Sequence, residues 1–264
     1  MHARLYFIDF LEGDTAGMER EAAAVMGRRE YEGFMLDTQS DTAAYSGEFV
    51  KARELTRRAI DSARRADEQE TMAHFEAQAA PREAMVGNMG MARQLAQAAL
   101  VLSDSRDVEF NSALALGLAG DKAQATRRAN DLDKRFSKDT MVQTQCLPMI
   151  RAATFLGRDN TPEEADKAIQ ALAAAAPYEP GVYSRLYPTY LRGGAYVAAR
   201  EGAAAAAEFQ KILNHPGIVR NDPIGALAHL GLGRACSPTT SPKRAPPTKT
   251  SSPSGKTPTP TSPS

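Results

Sequence analysis

Residues 113–132 read ALALGLAGDKAQATRRANDL. An apolar run ends at Gly120, and an Ala- and Arg-rich run opens at Asp121. Glycine takes the left-handed conformation that ends a helix. Aspartate caps the next one by accepting a backbone N–H with its side chain. The stretch therefore predicts two helices joined by a very short turn. The same pairing of glycine with a polar residue recurs at Gly13-Asp14, Gly47-Glu48 and Gly87-Asn88. Successive glycines are 34, 40 and 33 residues apart. Five residues beyond each stands a small or apolar residue: Met18, Ala52, Ala92 and Ala125. A helix–turn–helix unit at a period near 34 residues points to a helical repeat array. A single hairpin cannot bury its apolar face, whereas stacked neighbours make a continuous core.

The surrounding composition agrees. Alanine is abundant, accompanied by Arg, Glu, Leu, Gln and Met, all good helix formers. Strand-like alternation of Val, Ile and Thr is nearly absent. The expected fold class is all-α. The 264 residues carry 32 basic and 32 acidic side chains, a formal net charge of zero. That argues against a nucleic-acid binder acting through bulk charge. Two cysteines cannot form a disulfide framework, and four scattered histidines make a dedicated metal site unexpected. No cofactor and no small-molecule substrate are indicated. The start, MHARLYFIDFLEGD, meets Asp9, Glu12 and Asp14 too early for a secretory signal. No apolar run reaches the roughly 18–20 residues of a membrane span. Cytoplasm is the default compartment.

The period and the residue pattern resemble the tetratricopeptide repeat. The best copy is Gly193, Tyr196, Arg200, Ala205, Phe209 and Ile212, with Arg200 in place of the turn glycine. The copy around Gly47 keeps Phe49, Ala52, Ala59 and Ile60. Around Gly87 stand Ala80, Ala92, Ala99 and Leu100; around Gly120, Ala113, Leu116, Ala125 and Leu132. A degenerate copy runs through Ala168, Leu172 and Ala175, with an insertion at Arg158–Pro162. The resemblance implies a right-handed α-solenoid whose concave face, lined by the first helix of each hairpin, binds a peptide or partner domain. On that phase Glu76, Glu83, Asn111 and Leu114 line the groove, and Tyr190 joins them from a tyrosine cluster. The implied role is a non-enzymatic scaffold for protein–protein interaction.

A second resemblance is narrower. Residues 10–23 (FLEGDTAGMEREAA), 205–213 (AAAEFQKIL) and 221–232 (NDPIGALAHLGL) are similar to the C-terminal repeats of bacterial serine/threonine protein kinases. The chain has no kinase Gly-rich loop, catalytic loop or D-F-G in order. The alternative is thus a truncated sensor or docking region whose catalytic domain is absent from this chain. It would be extracytoplasmic if the parent spans a membrane.

The expected organisation is repeats over 4–177, a connecting loop at 178–188, further helices over 189–235 with an incomplete last hairpin, and a tail, 236–264. Pro81 should kink or shorten its helix, because proline removes a backbone donor and clashes with the preceding turn. The tail holds half of the 16 prolines, four basic residues and no acid, and is expected to be disordered. The rest then carries 28 basic against 32 acidic residues, a net charge of −4. A rival reading makes the tail an out-of-frame rendering of a final repeat. Read two bases on, a G/C-rich back-translation encodes an amphipathic helix after an Asn-Asp turn.

Other candidate chemistry is thin. Ser254–Thr257 resembles the end of a phosphate-binding loop but has Thr250 where the first glycine belongs. Cys146 sits in an apolar context and reads as a packing residue. His74, His215 and His229 lack ligand spacing. Arginine clusters such as Arg57-Arg58, Arg64-Arg65 and Arg127-Arg128 alternate with acids and read as mutually paired solvated faces. Tyr178, Tyr183, Tyr187, Tyr190 and Tyr196 read first as packing residues, second as a recognition surface.

Overall fold

The computed structural model describes residues 1–157, 161–181 and 183–237. Part of the insertion expected at Arg158–Pro162 lies outside the described residues, as do the phosphate-loop-like Ser254–Thr257 and residues 238–264 of the tail. The described chain is all-helical, without a strand. A first hairpin pairs α1 (His2–Glu12) with α2 (Thr15–Ala23). Then α3 (Arg29–Tyr45) pairs with α4 (Phe49–Arg65), α5 (Gln69–Met85) with α6 (Met89–Leu102), and α7 (Arg106–Leu118) with α8 (Lys122–Arg135). A π-helical turn, Val142–Cys146, leads into α9 (Leu147–Phe155), which packs on α10 (Pro162–Ala171). A 3₁₀ turn, Leu172–Tyr178, follows. The chain ends with α11 (Tyr187–Ala198), α12 (Gly202–Leu213), the short α13 (Pro216–Val219) and α14 (Pro223–Ala235). Among the described residues no helix is long and apolar enough to cross a membrane.

The turn chemistry explains the boundaries. Gly13, Gly47, Gly87 and Gly120 all have positive φ, between 75° and 89°. Asp14 and Asp121 cap α2 and α8 by accepting from Gly17 N at 2.9 Å and Gln124 N at 3.1 Å. The other two turns depart from expectation: Glu48 and Asn88 make no side-chain cap. The Asn88 amide instead donates to Glu83 Oε2 at 2.9 Å. Arg200 adopts the left-handed conformation usual for a turn glycine, with φ 60°.

Close helix packing rests on alanine. Ala52, Ala59, Ala92, Ala96, Ala125, Ala165, Ala168 and Ala205 are all fully buried. Each removes side-chain bulk where two helices meet, so backbones approach and dispersion contacts multiply. The expected shortening at Pro81 does not occur: α5 runs through it from Gln69 to Met85. The reason is tertiary. Helix α5 packs against α4, α6 and α7, and Pro81 and its neighbours Ala79, Ala80, Arg82, Glu83 and Ala84 are buried. That packing holds the helix through a lost backbone bond.

Residues on either side of the 178–188 segment share a core. Leu191 and Ala195 of α11 join the cluster built from α7, α8 and α9. The far end then returns to the beginning, with α14 against α3. Asn221 Nδ2 donates to Thr38 O at 2.8 Å and to Thr42 Oγ1 at 3.0 Å. Gly225 makes the approach possible: a Cβ there would lie 2.7 Å from the Tyr45 ring.

Candidate functional site

The inner faces of several helices meet around a cavity of about 360 Å³. Helix α5 supplies His74, Gln78 and Pro81; α7 supplies Asp107, Phe110, Asn111 and Leu114; α9 supplies Met149. Asp222, at the start of α14, closes one side. The fourth side comes from Tyr183, Ser184, Arg185 and Tyr187, part of the segment read from sequence as a connecting loop.

This segment is held at its base by buried charge. Glu179 accepts from Thr189 Oγ1 at 3.0 Å and pairs with the Arg192 guanidinium, which also binds Glu208 Oε2 at 2.5 Å. Arg185 and Leu186 both have positive φ, 42° and 65°. For side-chain-bearing residues such a conformation costs on the order of 1–3 kcal/mol each and persists only where the surroundings impose it. From that strained turn the side chains cross to the opposite wall. Tyr183 Oη donates to Asp107 Oδ1 at 3.0 Å, and its ring lies 6.2 Å from that of Phe110. Tyr187 Oη donates to Asp222 Oδ1 at 3.2 Å. The Arg185 guanidinium stands 3.8 Å from Asp222 Oδ2.

Carboxylates crowd the junction of α3, α5 and α14. Burial, and then the neighbouring Asp41, push Asp37 up to about 7. Burial and Asp41 likewise raise Asp222 to about 6, against the pull of Arg185. Asp41 is raised by burial too, while Arg82 opposes the shift. Arg82 is itself buried, donating to Asp41 Oδ1 at 3.0 Å and Thr56 Oγ1 at 2.8 Å. The inner wall is therefore polar and mainly acidic on the α14 side, mixed along α7, where Asp107 and Asn111 stand beside Phe110 and Leu114, and apolar at Met149 of α9.

The five residues predicted to line the groove fall in different places. Asn111 and Leu114 line the cavity together; the Asn111 amide donates to Asp107 O at 2.9 Å, and Leu114 is fully buried behind the surface. Tyr190 lines a second cavity, of about 420 Å³, between α5, α11 and α14. Glu83 is only 1% exposed and turns away from the cavity. It is held by Arg53 at 3.0 Å and by Asn88. Glu76 is half-buried, and burial raises its carboxyl. Sequence reading missed Asp37, Asp107, Arg185 and Asp222. Asp222 carried one signal, an Asp-Pro pair that opens a helix, and it does accept from Ile224 N at 3.1 Å.

Cys146 is buried, and burial pushes its thiol up to about 12. A thiol so protonated is no nucleophile. Of the clustered arginines, Arg57 pairs with Asp61 on its own helix at 3.2 Å as expected, whereas Arg65 reaches Glu32 of α3 at 3.5 Å. No known protein family, curated protein or solved structure matches the chain.

Proposed function

We propose that the chain is a non-enzymatic scaffold that binds a peptide or partner domain through the inner faces of stacked tetratricopeptide-like hairpins. One observation carries the reading. The cavity wall is assembled from α5, α7 and α9, one helix from each of three successive hairpins, and is closed by Tyr183–Tyr187 and by Asp222 at the start of α14. Repeat arrays present binding surfaces in this way. About 360 Å³ accommodates one or two side chains of a bound segment rather than a folded domain, so the cavity serves as an anchoring pocket within a larger contact. A central pocket of this kind is where binding energy concentrates. The likeness of residues 10–23, 205–213 and 221–232 to kinase-associated repeats supports a narrower version, a docking region that acts for a catalytic domain elsewhere.

The test is selection of binders from a displayed peptide library, followed by mutation of the wall. Gln78→Arg and Asn111→Arg fill the cavity and should each weaken selected peptides by about tenfold or more, equivalent to about 1.4 kcal/mol. Gln97→Arg, at an exposed site on α6, should leave affinity unchanged. Equal affinity across all three variants refutes binding at the inner wall.

A further inference from the structure

Residues Tyr183–Tyr187 lie against the inner wall much as a bound chain would. Their backbone hydrogen bonds go to residues nearby in the chain. Arg185 N donates to Gly181 O, Leu186 N to Glu179 O and Tyr187 N to Ser184 O. The Ser184 hydroxyl reaches only the carbonyl oxygens of Tyr178, Glu179 and Gly181. Leu186 is buried with Ala205, Phe209 and Ile212, beneath its own hairpin. Contact with the α7 wall and with Asp222 is made by side chains alone: Tyr183 to Asp107 and Phe110, Arg185 and Tyr187 to Asp222. Tyr183 and Arg185 can therefore leave the wall without breaking any of these backbone hydrogen bonds. The strained φ of Arg185 and Leu186 fits a segment set in place to occupy a site, since such strain concentrates at ligand clamps and switches. The cavity beside it gives an entering chain room to compete.

We propose that Tyr183–Tyr187 is an internal stand-in for the partner, and that the inner wall selects a segment carrying Tyr-x-Arg. This rests on the scaffold reading above and names its ligand. The partner's tyrosine hydroxyl donates to Asp107 while its ring lies near Phe110. Its guanidinium takes the place of Arg185 before Asp222, with Asp41 and Asp37 behind. Arg82 opposes the charge of those two aspartates, and the incoming guanidinium restores the second cation that Arg185 supplies to the group. Binding requires the side chains of Tyr183 and Arg185 to withdraw, while Leu186 and Tyr187 stay packed. The apparent affinity of the intact chain is thus reduced by the fraction in which the wall is free.

The probe is a fluorescent peptide with the sequence of residues 181–188, GVYSRLYP, read by anisotropy against the full chain. Tyr183→Ala combined with Arg185→Ala should bind it at least about tenfold more tightly than the unmodified chain, as expected when a competing intramolecular contact is removed. Adding Asp107→Asn should return most of that gain. A peptide with alanine at both the first tyrosine and the arginine should not bind. Equal affinity for the unmodified and double-substituted chains overturns the proposal. So does absence of binding to a double variant that keeps the helical circular dichroism of the unmodified chain. If the double variant does not fold, Tyr183→Phe keeps the ring and removes only the Asp107 bond. It should then bind several-fold more tightly, and unchanged affinity is again a refutation. A chain that ignores this peptide yet loses library-selected binders on Gln78→Arg refutes the stand-in alone and leaves the scaffold standing.

Discussion

Helices α3–α8 and the stretch from Val142 to Asp222 are built by different means. In the first region, the turns within hairpins fall at Gly47, Gly87 and Gly120, and buried alanines set helix spacing. The second contains a π-helical turn, a 3₁₀ turn and positive φ at Arg185, Leu186, Arg200 and Arg220. It also buries the Glu179–Arg192–Glu208 ion group. Repetition makes a frame, and departure from it makes a site. The irregular stretch supplies Tyr183, Arg185, Tyr187 and Asp222 to the cavity.

The sharpest way to separate the regions is to damage each in turn. Leu116→Ala removes a fully buried side chain from the α7 core, at an expected cost of about 2–5 kcal/mol. Tyr183→Phe removes one partly exposed hydrogen bond, worth about 1 kcal/mol. Chemical denaturation should show the first as a large loss and the second as a small one. If the two costs are equal, the irregular stretch is as integral to stability as the frame.

A pH series probes the junction between the regions. Asp37 and Asp222 hold their protons to about 7 and about 6 in the folded chain, well above an ordinary aspartate near 3.9. Between about pH 4 and pH 7 the folded state binds protons that the unfolded state has released. Stability therefore falls as pH rises through that window, and Tm should be higher at pH 5 than at pH 8. Asp37→Asn should flatten the slope by raising Tm at pH 8. An identical slope in the variant would remove Asp37 from the account.

A last comparison sets two hairpin turns side by side. Gly120→Ala places a side chain at φ 84° and should cost about 1–2 kcal/mol, the penalty of left-handed backbone for a side-chain-bearing residue. Arg200→Gly relieves that penalty at φ 60° but adds freedom to the unfolded chain, so it should change stability by less than about 1 kcal/mol. Thermal melts of the pair show whether the Arg200 turn carries backbone strain that the Gly120 turn avoids.

The helices and turn glycines were legible because their causes are local. Gly87 and Gly120 need only their own backbone conformation, and Ala52, Ala92 and Ala125 stand at a fixed offset from the glycines. Pro81 misled because its helix is held from three sides, which no local rule registers. Glu83 misled for a similar reason: α5 is buried over much of its circumference, so its phase does not single out one inner face. Its partner Arg53 is 30 residues distant. Asn111 and Leu114, expected on a groove from the spacing within α7, line this cavity together. Asp107 and Asp222 acquire their roles only when Tyr183 and Tyr187, 76 and 35 residues from them, arrive at hydrogen-bond distance.

The contact of α14 with α3 changes what kind of object the chain is in folding. An array with nearest-neighbour contacts alone behaves as a one-dimensional chain of units, free to melt from either end. Here Asn221 bonds to Thr38 across 183 residues. The entropy of closing so long a loop grows only logarithmically with its length, yet it must be met before that contact forms. The last helices thus fasten early hairpins to late ones, and opening at either side exposes the other. Cooperativity becomes circular, and the inner wall is completed only when the circuit closes.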